Sequence, residues 1–167
     1  MTDEPAAPFT APLALHSETV LPEWVDYNGH MNVAFYVLIF DHATDAVQDI
    51  LNLGATYRGE TGGSVFVVES HVTYDQEVME GASVSVTTQV LGADSKRLHV
   101  FHRMFETGST VRVATNELMI LHVDLNTRRV APFPEIAQNR MAELVNLHKS
   151  LGKPQQSGRT IALSDKK

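Results

Sequence analysis

Residues 24–45, WVDYNGHMNVAFYVLIFDHATD, join a polar turn to one of the most apolar segments of the chain. From about Asn32 to Leu53, apolar residues recur at three- and four-residue spacing, and acidic and amide residues occupy the opposite stripe. This spacing predicts a helix, which we expect to end at Gly54. Because the first two turns are apolar on every side, we expect that half of the helix to be buried all round.

The composition is that of one ordinary folded domain. The 167 residues are 43% apolar and 20% charged, which argues against a disordered chain. The chain has no cysteine, which excludes disulfides, thiolate metal sites and a cysteine nucleophile. With a net charge of −7, the chain lacks the cluster of basic residues that is typical of a nucleic-acid-binding protein. No apolar run is long enough to cross a bilayer. We expect a cytoplasmic protein without a nucleic-acid or membrane partner.

The hydrophobic period changes after the predicted helix. Beyond a glycine-rich loop, alternation predicts four strands over residues 64–78, 82–91, 96–106 and 111–125. Residues 13–25 form a candidate first strand, and residues 134–151 have the pattern of a closing amphipathic helix. Its predicted inward residues are Ile136, Met141, Leu144 and Val145.

This order of elements predicts an α+β fold. We expect a long antiparallel sheet, with its four later strands in a meander, wrapped around a central helix, plus a C-terminal helix. Residues 13–151 then form a single domain, with flexible segments at 1–12 and 152–167. One sheet does not cover the apolar half of the central helix on every side. We therefore expect a second copy of the chain to cover it, in a homodimer or a dimer of dimers.

The turn before the helix carries groups that suit acyl transfer to water. The first N–H groups of a helix have no partner within the helix, and with the helix dipole they favour negative charge, including a developing oxyanion. Beside them Asp26 supplies a carboxylate, Asn28 an amide and His30 an imidazole. The same residue types are common in turns and helix caps, so a polar turn without chemistry is the alternative interpretation.

The turn and the order of elements resemble the hotdog-fold acyl-thioester hydrolases, in the branch that includes 4-hydroxybenzoyl-CoA thioesterase. The resemblance covers about residues 13–134. It implies that Asp26 is the catalytic carboxylate and that the backbone amide of Val33 polarises the thioester carbonyl. The run D-x-N-x-H-x-N also resembles the plant acyl-carrier-protein thioesterases, which implies catalytic roles for Asp26, Asn28 and His30.

Three further segments, WVDYNGHM, RLHVFHRMF and LHVDLNTRR, resemble the thioesterase portion fused to carnitine dehydrogenases and its stand-alone relatives. This resemblance implies hydrolysis of betainyl-CoA or another small acyl-CoA. A betainyl group carries a quaternary ammonium, which aromatic faces and carboxylates bind well. The candidate residues for binding it are Trp24, Tyr27, Phe35, Tyr36 and Glu69, although aromatic residues at a helix start are also common in a core.

Glu69 and His71 share one face of the strand after the helix, a region that lines the pocket across the interface in hotdog dimers. We expect them to support substrate binding, although a polar outer face of the sheet explains them equally well. The phosphates of CoA need cations. The available cations are Arg58, Lys96, Arg97, Arg128 and Arg129.

Two other functions remain open. A hotdog enoyl-CoA hydratase has a signature resembling D-x-N-P-x-H, with Asp and His five residues apart, whereas Asp26 and His30 are four apart without a proline. A non-catalytic acyl-CoA-binding protein would typically add a DNA-binding module, for which the chain has neither the length nor the charge.

The histidines do not predict a metal site. His99 and His102 are three apart on a predicted strand, so their side chains point to opposite faces. No HExxH motif occurs either. We therefore expect neither a metal nor another cofactor.

Overall fold

A long helix lies against a six-stranded antiparallel sheet in the computed structural model, which describes residues 9–163. The elements are β1 (Leu13–Thr19), α1 (Val33–Ile50), α2 (Ala55–Thr61), β2 (Gly63–Tyr74), β3 (Ser83–Ala93), β4 (Arg97–Glu106), β5 (Arg112–Asp124), β6 (Arg129–Val130) and α3 (Glu135–His148). Two 3-10 turns, Pro22–Trp24 and Lys149–Leu151, follow β1 and α3. The predicted α+β fold, with an antiparallel sheet around a central helix and a C-terminal helix, is confirmed.

The strand order in the sheet is β1-β3-β4-β5-β2, and β6 pairs with β5. The predicted four-strand meander is therefore wrong for β2, which pairs with β5 along its whole length and forms an edge. The segment between β2 and β3, residues 75–82, is too long for a tight hairpin and crosses to the far side of the sheet. On the way it contacts the turn before α1, where the Met31 N–H donates to the Val78 carbonyl at 2.8 Å.

Helix α1 begins at Val33 because Asn32 caps it, with Asn32 Oδ1 accepting from the Ala34 N–H at 3.0 Å. It ends at Ile50, earlier than the predicted stop at Gly54. Asn52, with φ of 59°, turns the chain in the left-handed conformation. Gly54 instead precedes α2, a helix that occupies the predicted glycine-rich loop and that its short, polar sequence did not reveal.

The burial of α1 differs from the prediction. Tyr36, Ile39, Phe40, Ala43 and Val47 are buried on one face. The first turns are not buried all round in the single chain, because Val33 is 56% exposed and Val37 is also exposed. In α3, Met141 and Leu144 are buried and Val145 is half-buried, but Ile136 is exposed and Ala137 is buried in its place.

Strand β2 is an apolar edge. Phe66, Val67 and Val68 are three consecutive exposed residues, so neither face of the strand is covered at that point. A register shift between Val67 and Glu69 breaks the regular alternation that the sequence predicted for the whole strand. Val33 and Val37, in the first turns of α1, are also exposed apolar residues.

The ends of the described chain contact the domain. The Thr10 carbonyl accepts from His148 Nε2 at 2.9 Å, and residues 152–158 lie near the sheet, where Glu117 accepts from Ser157 Oγ and from the Gly158 N–H, both at 2.7 Å. The flexibility expected for residues 1–12 and 152–167 stays a prediction, and residues 1–8 and 164–167 lie outside the described range. Within residues 9–163, no helix is long and apolar enough to cross a membrane.

Candidate active site

The polar turn places Asp26 beside the start of α1. Val25 and Met31 pair across the turn, and the Asp26 N–H donates to the His30 carbonyl at 3.2 Å. The Gly29 N–H closes the loop by donating to the Asp26 carbonyl at 2.9 Å. Gly29 adopts φ of 84°, which glycine reaches without the strain that a side chain would add. Backbone hydrogen bonds thus close the turn, and the buried Met31 side chain anchors its far end in the core.

Two donors hold the Asp26 carboxylate. The Asn28 N–H donates to Oδ1 at 2.8 Å, and Asn32 Nδ2 donates to Oδ2 at 3.0 Å. The hydrogen bond from the Asn28 backbone is the main cause of a lowered pKa for Asp26; the Asn32 amide and the nearby His30 lower it further, against the opposing effect of burial. Asp26 is therefore a carboxylate at neutral pH.

Asn32 connects the carboxylate to the helix. Its Nδ2 donates to Asp26 while its Oδ1 caps α1 at Ala34. The sequence interpretation assigned no role to Asn32, although it is the last asparagine of the D-x-N-x-H-x-N run. An N-cap residue six positions after a candidate catalytic carboxylate was the signal that could have identified it.

The backbone amide of Val33 is available to an external acceptor. The Ala34 N–H donates to Asn32 Oδ1, and the Phe35 N–H donates to the Asn32 carbonyl at 3.0 Å. The Val33 N–H has no acceptor within residues 9–163. A free amide at the positive end of an 18-residue helix suits a carbonyl oxygen that gains negative charge.

The side chains of Asn28 and His30 lie in different surroundings. Asn28 is exposed, and its backbone N–H makes the close contact with Asp26; its side-chain amide makes a smaller contribution to the lowered pKa of the same carboxylate. The His30 ring is half-buried, with Nε2 3.9 Å from Glu77 Oε2. The structure therefore places Asp26 and Val33 on one short segment, and the predicted side-chain role of Asn28 stays a prediction.

The predicted substrate-binding residues are dispersed. Trp24 is buried and stacks on Phe35, with ring centroids 5.3 Å apart, so both rings contribute to the core. Tyr27 is 98% exposed. Glu69 and His71 lie on the edge strand β2, where neither makes a side-chain hydrogen bond to residues 26–33.

Tyr36 lies in a small cavity of about 210 Å³ beside Val33, which we call the Tyr36 cavity. Its lining consists of His30, Met31, Val33, Tyr36, Tyr74, Asp75, Gln76 and Glu77. The Tyr36 and Tyr74 rings meet edge to face with centroids 5.3 Å apart. The Tyr74 hydroxyl lies 3.4 Å from the Val33 carbonyl oxygen, which places this aromatic wall at the helix start.

The two acidic residues of the Tyr36 cavity differ in pairing. Asp75 accepts from Arg112 Nε at 2.6 Å, so its charge is balanced within the chain. The Glu77 side chain is 67% exposed and has only His30 near it among the ion pairs of the described residues. The sequence interpretation missed Tyr74, Asp75 and Glu77. These residues lie at the end of β2 and just after it, and they reach α1 only because β2 joins the sheet beside β5.

A larger cavity, of about 680 Å³, opens between the later turns of α1 and β2. Three acidic residues of α1, Asp41, Asp45 and Asp49, face it together with Arg58 and Phe66. Burial, together with the charges of Asp41 and Asp49, raises the pKa of Asp45. This cavity is lined by the exposed edge of β2 and does not include Asp26 or Val33.

The family model described as the thioesterase-like superfamily matches residues 20–141, which include Asp26, Asn32 and Val33. The chain belongs to the thioesterase-like superfamily. A betainyl-CoA thioesterase from Pseudomonas aeruginosa is 44% identical to this thioesterase-like protein over 151 residues, which cover 90% of this chain and 95% of the relative. An L-carnitine dehydrogenase/betainyl-CoA thioesterase from Ruegeria pomeroyi is 38% identical over 96% of this chain, but the chain spans only 32% of that longer relative.

Two solved structures have folds similar to that of this chain. A putative thioesterase from Pseudomonas putida KT2440 superposes with a TM-score of 0.81 at 41% identity, covering 93% of this chain and 99% of the other. A hypothetical protein from Staphylococcus aureus, solved in complex with CoA, has a TM-score of 0.85 at 28% identity, covering 95% of this chain and 100% of the other. The predicted hotdog fold of this thioesterase-like protein is confirmed.

Proposed function

We propose that this protein is an acyl-CoA thioesterase that hydrolyses betainyl-CoA or a closely related cationic acyl-CoA. The observation that carries the proposal is the Asp26 carboxylate, held by Asn28 and Asn32 on the segment that ends in the free Val33 amide. The betainyl-CoA thioesterase from Pseudomonas aeruginosa, at 44% identity, supports the same activity.

In the proposed mechanism, the thioester carbonyl oxygen accepts from the Val33 N–H at the positive end of α1. An ionised Asp26 takes a proton from a water molecule, whose oxygen attacks the carbonyl carbon. The tetrahedral intermediate collapses, the C–S bond breaks, and CoA leaves as a thiolate that takes up a proton. Each oxyanion donor of this kind is commonly worth about 2.7–4 kcal/mol.

A second route uses the same residues. Asp26 attacks the carbonyl carbon directly and forms a mixed anhydride with the acyl group, releasing CoA, and water then hydrolyses the anhydride. The hydrogen bonds from Asn28 and Asn32 are compatible with both routes, since either requires an ionised and oriented carboxylate. The named relatives are thioesterases, which favours hydrolysis over the hydratase and non-catalytic alternatives.

The lining of the Tyr36 cavity supports the proposal that the substrate carries a cationic acyl group. A quaternary ammonium is attracted to the faces of aromatic rings and to a carboxylate. The exposed Tyr74 and Glu77 supply such groups directly beside Val33, the residue that we assign to the thioester carbonyl, and the buried Tyr36 packs against the Tyr74 ring. Because Asp75 is already paired with Arg112, Glu77 is the carboxylate that we assign to the positive charge of the substrate.

The proposal includes a homodimer or a dimer of dimers. The exposed apolar residues Phe66–Val68 on the edge of β2 support it, because apolar residues on an uncovered strand edge are typical of an interface. A second copy that covers the exposed Val33 and Val37 would also bring additional residues to the start of α1. The cytoplasmic location stays a prediction from the sequence.

A thiol-release assay tests the proposed function. The panel contains betainyl-CoA, 4-hydroxybenzoyl-CoA, acetyl-CoA, crotonyl-CoA and 3,3-dimethylbutyryl-CoA, the last being a neutral isostere of the betainyl ester. We expect free CoA thiol from betainyl-CoA at the highest kcat/KM of the panel. Absence of thiol release from every ester would refute hydrolysis, and preference for the neutral isostere would refute the cationic substrate alone.

A further inference from the structure

Two histidines and one glutamate meet on the side of α1 away from the candidate active site. His16 and Glu18 belong to β1, and His42 belongs to α1. Glu18 Oε2 lies 2.9 Å from His16 Nε2 and also 2.9 Å from His42 Nδ1. The sequence predicted no metal because only His99 and His102 were close along the chain, and their rings do point to different partners, Glu117 and Thr88.

The fold explains why these three residues converge. Residues two apart on a strand share a face, so His16 and Glu18 point the same way from β1. Helix α1 packs against that strand and presents His42 to both. One ligand atom from each of the three residues lies within 4.8 Å of the other two.

We propose that His16, Glu18 and His42 form a binding site for one divalent transition-metal ion, with Zn²⁺ as the preferred ion. Two imidazole nitrogens and one carboxylate oxygen are a ligand set that Zn²⁺ and its neighbours in the transition series accept. Three protein ligands leave a coordination position for water.

The contacts of Glu18 leave its carboxylate available to a cation. Glu18 Oε2 is held by two imidazole nitrogens, His16 Nε2 and His42 Nδ1, and its side chain is only partly exposed. None of the salt bridges in the described chain joins Glu18 to a lysine or arginine, so no permanent cation competes for this carboxylate.

Binding requires only small movements. In the present arrangement both imidazoles donate to Glu18; with a metal, each ring takes its other tautomer, with the proton on His16 Nδ1 and His42 Nε2, so that His16 Nε2 and His42 Nδ1 present lone pairs. Ligand atoms bonded at about 2.0–2.1 Å in tetrahedral geometry are about 3.4 Å apart, compared with 2.9 Å for each histidine–glutamate contact here. The three side chains are partly exposed and have room for this change.

The metal would cross-link β1 to α1 and would not take part in hydrolysis. His42 is nine residues beyond Val33, which places it about 13 Å further along the helix axis. An ion that binds only the folded chain raises its stability in proportion to the logarithm of its free concentration over its Kd. The metal site does not depend on the proposed hydrolase activity, because the test measures metal binding and the stability of the folded chain.

The test uses the full chain without an affinity tag, treated with EDTA and then dialysed. Co²⁺ titration followed by visible absorption, and Zn²⁺ titration followed by calorimetry, measure stoichiometry and Kd. The variants are Glu18→Gln and His42→Gln, which keep similar size. The control is His99→Gln, because His99 also contacts a glutamate, Glu117, but has no third ligand.

We expect one ion per wild-type chain and per His99→Gln chain, with a higher melting temperature in Zn²⁺. Loss of a residue that only supports a metal ligand weakens binding by roughly 10–100-fold. In Glu18→Gln and His42→Gln, which lose a ligand itself, we expect Kd for the metal to rise by more than that. We also expect the Zn²⁺-dependent rise in melting temperature to disappear. Circular dichroism identifies a variant that fails to fold, in which case His16→Asn replaces it. Absence of stoichiometric binding to the wild type, or equal binding by the cluster variants and the control, would overturn the proposal.

Discussion

Asn32 bonds Asp26 and caps α1 with the same side-chain amide, donating to Asp26 Oδ2 at 3.0 Å and accepting from the Ala34 N–H at 3.0 Å. The orientation of the carboxylate and the start of the helix therefore depend on one residue. Because Val33 follows Asn32 directly, the two groups that we assign to catalysis are held at the same junction.

Replacement of Asn32 by alanine tests this coupling. We expect Asn32→Ala to lower the free energy of unfolding by about 0.5–2 kcal/mol through loss of the cap. Loss of a hydrogen bond to a charged group, commonly about 1.5–3 kcal/mol, should also lower kcat by roughly 10–100-fold. Urea unfolding and thiol-release kinetics measure the two effects separately.

Asn28→Ala is the matched variant, since alanine keeps the backbone N–H that contacts Asp26. We expect it to affect kcat much less than Asn32→Ala does. An equal or larger loss in Asn28→Ala would restore the catalytic side-chain role that the sequence alone predicted.

Much of the local arrangement could be predicted from the sequence. Asp26, the start of α1 near Asn32 and the amide of Val33 lie within eight residues, so their order along the chain already determines their proximity. Tyr74 and Glu77 could not be predicted as neighbours of Tyr36, because their position depends on β2 pairing with β5, where Tyr74 pairs with Ala114, 40 residues further along the chain. The same limit applies to His42, which meets His16 and Glu18 only after α1 has packed on β1.

Selectivity for a cationic acyl group should depend on the Tyr36 cavity. We express selectivity as kcat/KM for betainyl-CoA divided by kcat/KM for its neutral isostere, 3,3-dimethylbutyryl-CoA. Cation–π attraction of about 0.5–2 kcal/mol predicts a roughly 2–30-fold fall in Tyr74→Leu, and loss of the exposed carboxylate predicts a smaller fall in Glu77→Gln. Tyr27→Leu, at the exposed tyrosine of the turn, should leave the ratio nearly unchanged. A ratio that falls only in Tyr27→Leu would contradict the assignment of the cavity.

The oligomeric state should depend on the edge of β2. We expect Val67→Lys to weaken self-association, because Val67 is 46% exposed in the middle of the apolar edge, and a lysine there opposes pairing with another chain. Leu15→Lys, at an exposed position of the opposite edge strand β1, is the matched control. Light scattering after size-exclusion chromatography should show a smaller mass for Val67→Lys alone. A wild-type monomer at micromolar concentration would contradict the dimer.

The buried His102 should make stability depend on pH. Its Nε2 contacts Thr44 Oγ1 at 3.0 Å and its Nδ1 contacts Thr88 Oγ1 at 2.8 Å. Thr44 Oγ1 already donates to the Phe40 carbonyl, so Nε2 carries the proton and the ring is neutral. Burial lowers the pKa of His102 from 6.5 to about 3.

Below pH 6.5 the unfolded chain therefore binds a proton at this position and the folded chain does not, so the free energy of unfolding falls as pH falls from 6.5 towards 3. The contribution of one group is at most about 1.4 kcal/mol per pH unit. We expect urea unfolding between pH 7 and pH 5 to show a shallower pH dependence in His102→Gln than in the wild type. Equal slopes in the wild type and His102→Gln would mean that His102 does not carry this dependence.

The central claim is that Asp26 performs the chemistry, either as a base or as a nucleophile. Asp26→Asn keeps the shape of the side chain and removes its charge. We expect kcat for betainyl-CoA to fall by at least about 100-fold, at the lower end of what a general base contributes, while circular dichroism and the melting temperature show a folded protein. Near-normal turnover by a folded Asp26→Asn variant would contradict the account.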